Sequence, residues 1–222
     1  MNEVPIENRN TVQVIWAHPR TDSFTAAIAG DVIGELRQRK VNVETLDIYR
    51  SGFDPLLREI DEPELDNLNK QYSPEVMLSA SRAGGAAAVV FAFPVWWFSV
   101  HAALKGYIER VWNYGIFYGD GRRTGLPTVR WIGLAGDPER NFTKRGYDRM
   151  MAHHLNQGIA GFCGAKDSRL DLLCNTFADN VEDPVAHFTQ LRAQARATAV
   201  ELAEQIGTRA ANCDPLVSDE EI

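Results

Sequence analysis

Residues 86–119 read AAAVVFAFPVWWFSVHAALKGYIERVWNYGIFYG, and their pattern decides how the rest of the chain is interpreted. The first part, residues 86–93, is the most strongly apolar segment of the sequence. Continuous rather than alternating apolarity predicts a β-strand that is buried on both faces. Three aromatic residues follow within 94–98 (PVWWF), and residues 100–113 have the apolar periodicity of an amphipathic helix. This order of strand, loop and helix is typical of a parallel α/β sheet.

The same alternation of apolar runs and amphipathic segments extends along the chain, with glycines, prolines and short polar clusters between them. A long acidic segment, residues 49–72, is expected to wrap the surface. The predicted strands are 12–17, 41–48, 86–93, 128–135 and 169–176, and the predicted helices are 24–39, 73–81, 100–113, 145–157 and 182–207. Ser73 is expected to cap the second helix and Gly207 to end the last one.

These elements predict an α/β fold with a five-stranded, doubly wound parallel sheet and helices on both faces. We expect one domain over residues 1–222, with its core at about 12–207 and an acidic tail at 208–222. Right-handed crossovers between parallel strands follow from general rules of chain connection.

Composition excludes several classes of protein. The chain has 222 residues, 45% apolar and 24% charged, which is typical of a globular protein, and its net charge of −7 disfavours nucleic-acid binding. Cys163, Cys174 and Cys213 form no zinc-type spacing, so we expect no metal site and a reducing, cytoplasmic environment. The N-terminus does not resemble a signal peptide, and the apolar run near 86–100 is too short to span a membrane and is broken at Pro94.

Ligands of doubly wound sheets bind outside the carboxyl ends of the strands. The loops after the first, third and fourth strands, 18–25, 94–99 and 136–143, are therefore the candidate sites. The first loop has neither GxGxxG nor GxxxxGK[ST], which disfavours Rossmann dinucleotide binding and P-loop chemistry. Free N–H groups where the first helix opens, near Ser23, can hold a phosphate, although Asp22 or Ser23 could simply cap the helix.

The second loop carries the more specific signal. Consecutive residues of an extended chain point in alternating directions, so Trp96, Trp97 and Phe98 cannot all enter one core. A flat heteroaromatic ligand would give these rings a surface to stack on. The alternative is that the aromatic side chains form a plug over the core at the start of the helix.

At this point the sequence resembles a known family. Residues 93–119 resemble the signature of the flavodoxin-like NAD(P)H:quinone oxidoreductases, which include DT-diaphorase and the ancillary quinone reductases of bacterial potassium-efflux systems. The motifs that fall at the family's spacing are Leu104–Lys105–Gly106, Glu109–Arg110–Val111 and Gly115 with Tyr118–Gly119. Residues 17–24, 47–55 and 162–164 resemble further segments, and the resemblance covers about residues 12–205.

The resemblance implies a tightly bound flavin, FAD or FMN with FAD favoured, and NAD(P)H as co-substrate. The residues it assigns to the flavin are His18, Ser23, Phe24, Thr25 and Ala26 at the phosphates, Pro94, Val95, Trp96, Trp97 and Phe98 beside the isoalloxazine ring, and Leu134, Ala135, Gly136 and Asp137 after the fourth strand. It assigns Phe117 and Tyr118 to the substrate pocket, often across a dimer interface. It also implies a homodimer formed through helix 100–113 and the loop that follows.

The chain departs from the family pattern in three places. Leu134–Ala135–Gly136–Asp137 replaces Thr-Thr-Gly-Gly, which removes two hydroxyls and adds a negative charge expected to lower the flavin's reduction potential or weaken its binding. His101 replaces the family's proline. The Tyr/His pair that assists charge on the reduced flavin has no clean match. Tyr147 is the candidate catalytic stand-in, ahead of Arg145, His153 and His154, and the two histidines could equally belong to a surface helix.

The predicted function is that of a cytoplasmic, flavin-dependent NAD(P)H oxidoreductase. Hydride would pass from the nicotinamide to the flavin and then to a quinone or related small-molecule acceptor. Two alternatives stay open: a regulatory flavodoxin-like subunit of a transporter or enzyme, and a biosynthetic flavoenzyme acting on one aromatic metabolite. A one-electron carrier fits less well, because the aromatic loops suit a substrate pocket better than an exposed flavin edge.

Overall fold

The computed structural model describes residues 10–120 and 124–211, and it contains one five-stranded parallel sheet. The strands are β1 (Thr11–Trp16), β2 (Asn42–Asp47), β3 (Ala88–Pro94), β4 (Thr128–Leu134) and β5 (Ser168–Leu173), in the order β2-β1-β3-β4-β5. Every neighbouring pair is parallel. The predicted flavodoxin-like, doubly wound sheet is therefore confirmed.

Helices cover both faces of the sheet. They are α1 (Phe24–Gln38), α2 (Pro74–Gly85), α3 (Ala102–Val111), α4 (Glu139–Arg145), α5 (Tyr147–Ala152), which runs on into a π-helical segment (His153–Gly161), and α6 (Pro184–Ala211). A short 3₁₀ turn (Glu59–Asp61) interrupts the long acidic segment between β2 and α2. None of the helices in the described part of the chain is long and apolar enough to cross a membrane.

The central strand β3 is buried over its whole length, as its continuous apolarity predicts. Val89, Phe91 and Phe93 face one core, which they share with α2 and α3, whereas Ala88 and Val90 face a second core with α1 and α6. Alternate residues of a strand point to opposite faces, so a strand between two helical layers needs apolar residues at every position. The two layers together position the loops at the carboxyl edge of the sheet.

Two predicted helices differ from the structure. The helix expected over 145–157 begins two residues later, at Tyr147, because Gly146 adopts a left-handed conformation with φ of 71° and separates α4 from α5, and from His153 onward it is π-helical. A helix at Glu139–Arg145 also replaces most of the loop expected at 136–143. The predicted end at Gly207 is wrong, because α6 continues to Ala211 with Gly207 inside it. The expected tail is accordingly shortened to residues 212–222, which lie outside the described residues.

A buried ion pair fastens the long acidic segment to α3. Asp61 and Arg110 are 0% and 3% exposed, and Arg110 Nη2 lies 2.7 Å from Asp61 Oδ2. The Ser73 N–H donates to Asp61 Oδ1 (2.8 Å), and Asn113 Nδ2 donates to the Asp61 carbonyl (2.7 Å). Burial alone would raise the pKa of Asp61, but the hydrogen bonds from Ser73 and Arg110 outweigh it and hold that pKa below 3.8. The segment therefore wraps the surface in a defined place, as expected.

Candidate active site

The loop after β1 is held by a side chain that the sequence did not single out. Arg50, just after β2, donates to the carbonyls of His18 (3.1 Å) and Pro19 (2.7 Å) and pairs with Asp47 (3.0 Å). The Arg20 N–H donates to His18 Nδ1 at 3.1 Å. A charged pair at the end of a strand next to β1 is the signal that could have pointed to Arg50. These contacts order the loop at the carboxyl edge of the sheet.

The start of α1 is capped by its own side chain. Ser23 Oγ accepts a hydrogen bond from the Ala26 N–H at 3.1 Å. This contact agrees with the simpler of the two interpretations, in which Ser23 caps the helix. Ser23 and Thr25 are buried, and the Phe24 ring lies edge-on to Phe188 of α6, 5.1 Å between centroids. The first N–H groups of a helix have no hydrogen-bond partner within the helix. Capping by Ser23 occupies one of them, so the remaining N–H groups of the first turn can face an anion.

The aromatic loop after β3 is a tight turn in a strained conformation. Trp96 and Ser99 exchange backbone hydrogen bonds of 3.3 and 3.2 Å around Trp97 and Phe98. These two residues have φ of 53° and 56°, values that side-chain-bearing residues rarely adopt. Trp97 is 94% exposed and Trp96 44% exposed, so these two side chains are not a plug over the core, whereas Phe98 is half-buried and packs against the small cluster that contains Phe142. Strain of this kind is retained where surrounding structure or function requires it.

Tyr147 lies against this turn. Its ring stacks on Phe98 with 3.8 Å between centroids and meets Phe142 edge-on at 6.2 Å. The structure therefore brings the predicted catalytic tyrosine to the loop predicted to border the flavin. Gly146 makes this possible, because the break it introduces between α4 and α5 turns the first residue of α5 toward the sheet edge.

The loop after β4 is covered by an aromatic residue from the loop after β5. Leu134 and Ala135 are buried, whereas Asp137 is exposed. The Phe177 ring lies so close to Gly136 that a Cβ there would be 2.8 Å from its Cδ2 atom. Phe177 is itself 76% exposed, and it was missed because it follows the predicted end of the fifth strand.

The electrostatics of this corner are negative. Burial raises the pKa of the Cys174 thiol to about 11, and the nearby carboxylates of Glu139, Asp148 and Asp137 add to the effect. The carboxylates of Glu139 and Asp148 therefore add to the negative charge expected from Asp137. Cys174 itself carries a free thiol.

His101 fills the space beneath Trp96. It is 3% exposed, and its ring lies 5.4 Å from that of Trp96 and 6.0 Å from that of Tyr49. Burial, with a smaller contribution from His18, lowers the pKa of His101 to about 4. The imidazole is therefore neutral at pH 7.

The two predicted substrate residues have different surroundings. Phe117 is fully buried in the core beside Trp112, so it offers no surface to a ligand. Tyr118 is half-buried, and its ring contacts Phe162 (5.2 Å) and Tyr114 (5.7 Å). Burial raises the pKa of Tyr118. The pair was predicted as one unit, but only Tyr118 is accessible.

A doubly wound sheet with a helix start after β1 and an exposed aromatic turn after β3 defines a protein of the flavodoxin-like class. The chain belongs to the flavodoxin-like fold family, whose model matches residues 10–201. The predicted resemblance is thereby confirmed at the level of the family.

Relatives with assigned names agree with this membership. The chain is 38% identical over 186 residues to the NAD(P)H oxidoreductase YcaK of Escherichia coli, covering 83% of this chain and 94% of that protein. It is 27% identical over 175 residues to NAD(P)H dehydrogenase (quinone) 1 of Rattus norvegicus, covering 68% of this chain and 64% of that protein.

Solved structures support the fold. An NAD(P)H:quinone oxidoreductase from Methanothermobacter marburgensis superposes with a TM-score of 0.75 at 24% identity, covering 86% of this chain and 95% of that one. An FMN-dependent NADH-azoreductase from Bacillus anthracis, solved in complex with FMN, gives 0.65 at 16% identity, with 87% and 99% covered.

Proposed function

We propose that the protein is a flavin-dependent NAD(P)H oxidoreductase that reduces a quinone or a related small-molecule acceptor. The observation that carries the proposal is the strained turn after β3, which presents Trp97 with 94% of its surface exposed at the ligand-binding edge of the sheet. The names of the bacterial and mammalian relatives support the same reaction class.

The residues at this edge fit a flavin. The open N–H groups at the start of α1, together with His18 in the loop before them, suit a phosphate, and the turn formed by Trp96, Trp97 and Phe98 suits a flat ring. FMN and FAD share the ring and the first phosphate, so the same residues serve either cofactor. A flavin held by these residues would supply the redox chemistry, a hydride transfer between NAD(P)H and the acceptor.

The protein's own groups position the reactants and manage charge. We propose that Tyr147 stabilises the charge that develops on the flavin, because its ring stacks on Phe98 and is thereby held beside the turn. The acidic group that includes Asp137 would oppose added negative charge in the same corner. Donor and acceptor would use one pocket in turn, which gives ping-pong kinetics. The free thiol of Cys174 favours a reducing compartment, and we propose the cytoplasm.

Purified protein should be yellow, with flavin absorption that bleaches anaerobically on addition of NADH or NADPH and returns when a quinone is added. Spectrophotometry of the protein, with and without added FMN or FAD, measures this directly. Protein that stays colourless and takes up neither flavin would contradict the proposal. Bound flavin that no nicotinamide nucleotide bleaches would favour a regulatory flavodoxin-like subunit instead.

Tyr118→Ala should lower kcat/KM for quinones by about ten- to two-hundredfold, because it removes an aromatic contact to the acceptor. Flavin content and melting temperature should stay close to those of the unaltered protein, since Tyr118 is only half-buried. Phe117→Ala is the matched control: its ring is fully buried, so it should cost about 3–5 kcal/mol of stability. Normal quinone turnover by a destabilised Tyr118→Ala protein would refute the pocket assignment.

We also propose a homodimer that forms on the acidic segment. The apolar residues of α3 pack within the chain, whereas Leu56, Leu57, Ile60 and Leu65 are 60%, 44%, 56% and 69% exposed. Apolar groups concentrated on one segment mark an interaction surface. Light scattering at micromolar concentration should give the dimer mass, and Ile60→Glu should shift it toward the monomer. A monomeric unaltered protein would contradict this.

A further inference from the structure

His101 is a buried polar side chain whose ring makes no hydrogen bond of ordinary geometry to the part of the chain that the structure describes. It is 3% exposed and lies between Tyr49, after β2, and Trp96, after β3. Apart from weak interactions with its own backbone and that of Ala17, neither ring nitrogen has a hydrogen-bond partner among the residues that the structure describes. Buried polar groups are normally paired, so an unpaired one requires an explanation.

The position of His101 points to the explanation. Strands β2, β1 and β3 are neighbours in the sheet, and the side chains around His101 come from the loops that follow them. Two of its neighbours, Trp96 and His18, are residues that we assign to flavin binding. The other residues assigned to the ring include Pro94, Val95, Leu134 and Ala135, whose side chains have no hydrogen-bonding group.

We propose that His101 is a flavin-binding residue, whose neutral imidazole hydrogen-bonds to a polar atom of the ring or ribityl chain when the cofactor occupies this edge. A neutral imidazole has one donor and one acceptor nitrogen, so it suits the mixed donors and acceptors of that part of a flavin. The inference rests on the proposed function.

The backbone at His101 allows a specific test. The residue precedes α3 with φ of −78° and ψ of 166°, and a proline ring fixes φ in the same range. At position 101 itself, His101→Pro therefore removes the imidazole without demanding a new φ. His101→Asn is the matched variant, because the amide keeps one donor group and one acceptor.

The experiment is a titration of flavin-free protein with FMN and with FAD, followed by quenching of flavin fluorescence, together with thermal melts of the same flavin-free samples. His101→Pro should raise the flavin Kd about tenfold, and His101→Asn should stay within about threefold of the unaltered protein. The melting temperature of flavin-free His101→Pro should be unchanged or higher, because the substitution removes an unpaired buried group.

The possible failures are distinguishable. Equal flavin affinity of the unaltered and His101→Pro proteins would overturn the inference and leave the proposed function standing. A flavin-free His101→Pro protein that melts well below the unaltered one, with His101→Asn equally weakened, would also overturn it in favour of a packing role. Unaltered protein that binds no flavin would overturn both proposals.

A second measurement does not depend on how His101→Pro folds. In protein labelled with ¹⁵N-histidine, the ring nitrogens of His101 can be assigned by their loss in His101→Asn. Addition of FMN should shift both ring resonances, since a hydrogen bond to the cofactor fixes the tautomer. His101 resonances that do not move at saturating FMN would contradict direct binding.

Discussion

Arg110→Met should lower the free energy of unfolding by about 3–5 kcal/mol, because it leaves a buried carboxylate without its cation. Asp61 is 0% exposed, and Arg110 holds it at 2.7 Å while also reaching Glu75 at 2.9 Å. Urea denaturation at pH 7 measures the change. The loss of stability should not be confined to α3, since this pair also fastens the acidic segment on which the proposed dimer forms.

Lys105→Met on the same helix is the matched control. The pair of Lys105 with Glu109 is exposed to solvent, so its loss should cost less than about 1 kcal/mol. The pKa of Asp61 is lowered in the folded protein, so its contribution is present above pH 3.8 and is lost as the pH falls below that value. The difference in free energy of unfolding between Arg110→Met and the unaltered protein should therefore become smaller in acid. Equal stabilities for the two variants would show that the buried pair does not hold the segment.

The fold was predictable wherever local pattern and tertiary environment agree. Strand β3 is buried on both faces, and its unbroken apolar run has no other simple explanation. Helix α6 shows the limit of local signals. Gly207 resembles a C-cap, but a helix-interior glycine costs only about 1 kcal/mol relative to alanine, so the helix continues through it to Ala211. Gly146 shows the reverse, because its left-handed conformation ends α4 and delays the predicted helix until Tyr147.

The candidate site was predictable only in part, because its geometry depends on contacts between distant loops. The aromatic turn was identified from three consecutive residues, but the left-handed conformation of Trp97 and Phe98, which sets the directions of their side chains, was not. The clamp of Arg50 on the loop after β1, and the cover of Phe177 on Gly136, join segments about 30 to 40 residues apart. No spacing rule in a single sequence reports such pairs. Phe117 illustrates the same limit, since its burial is set by the packing of α3 and not by its neighbour Tyr118.

Gly106→Ala should cost about 3 kcal/mol of stability or more, because helix α3 and the segment after β2 touch at this glycine without room for a side chain. A Cβ at position 106 would overlap the carbonyl oxygen of Pro55 and lie 2.8 Å from its carbonyl carbon. The atoms it meets are the Pro55 backbone and the Pro55 Cβ, which the proline ring holds rigidly, so they can give way only if the acidic segment moves as a whole. That segment is held by the Arg110–Asp61 pair, which resists such a movement.

Gly34→Ala in helix α1 is the matched control, and its effect should have the opposite sign. A Cβ there meets nothing within 4 Å, so alanine should stabilise the helix by up to about 1 kcal/mol. Urea denaturation of both variants, read by tryptophan fluorescence, compares one chemical change in two environments. If Gly106→Ala and Gly34→Ala changed the free energy of unfolding equally, the acidic segment would have to move aside at little cost. The close approach of α3 to Pro55 would then not be what fixes the position of that segment.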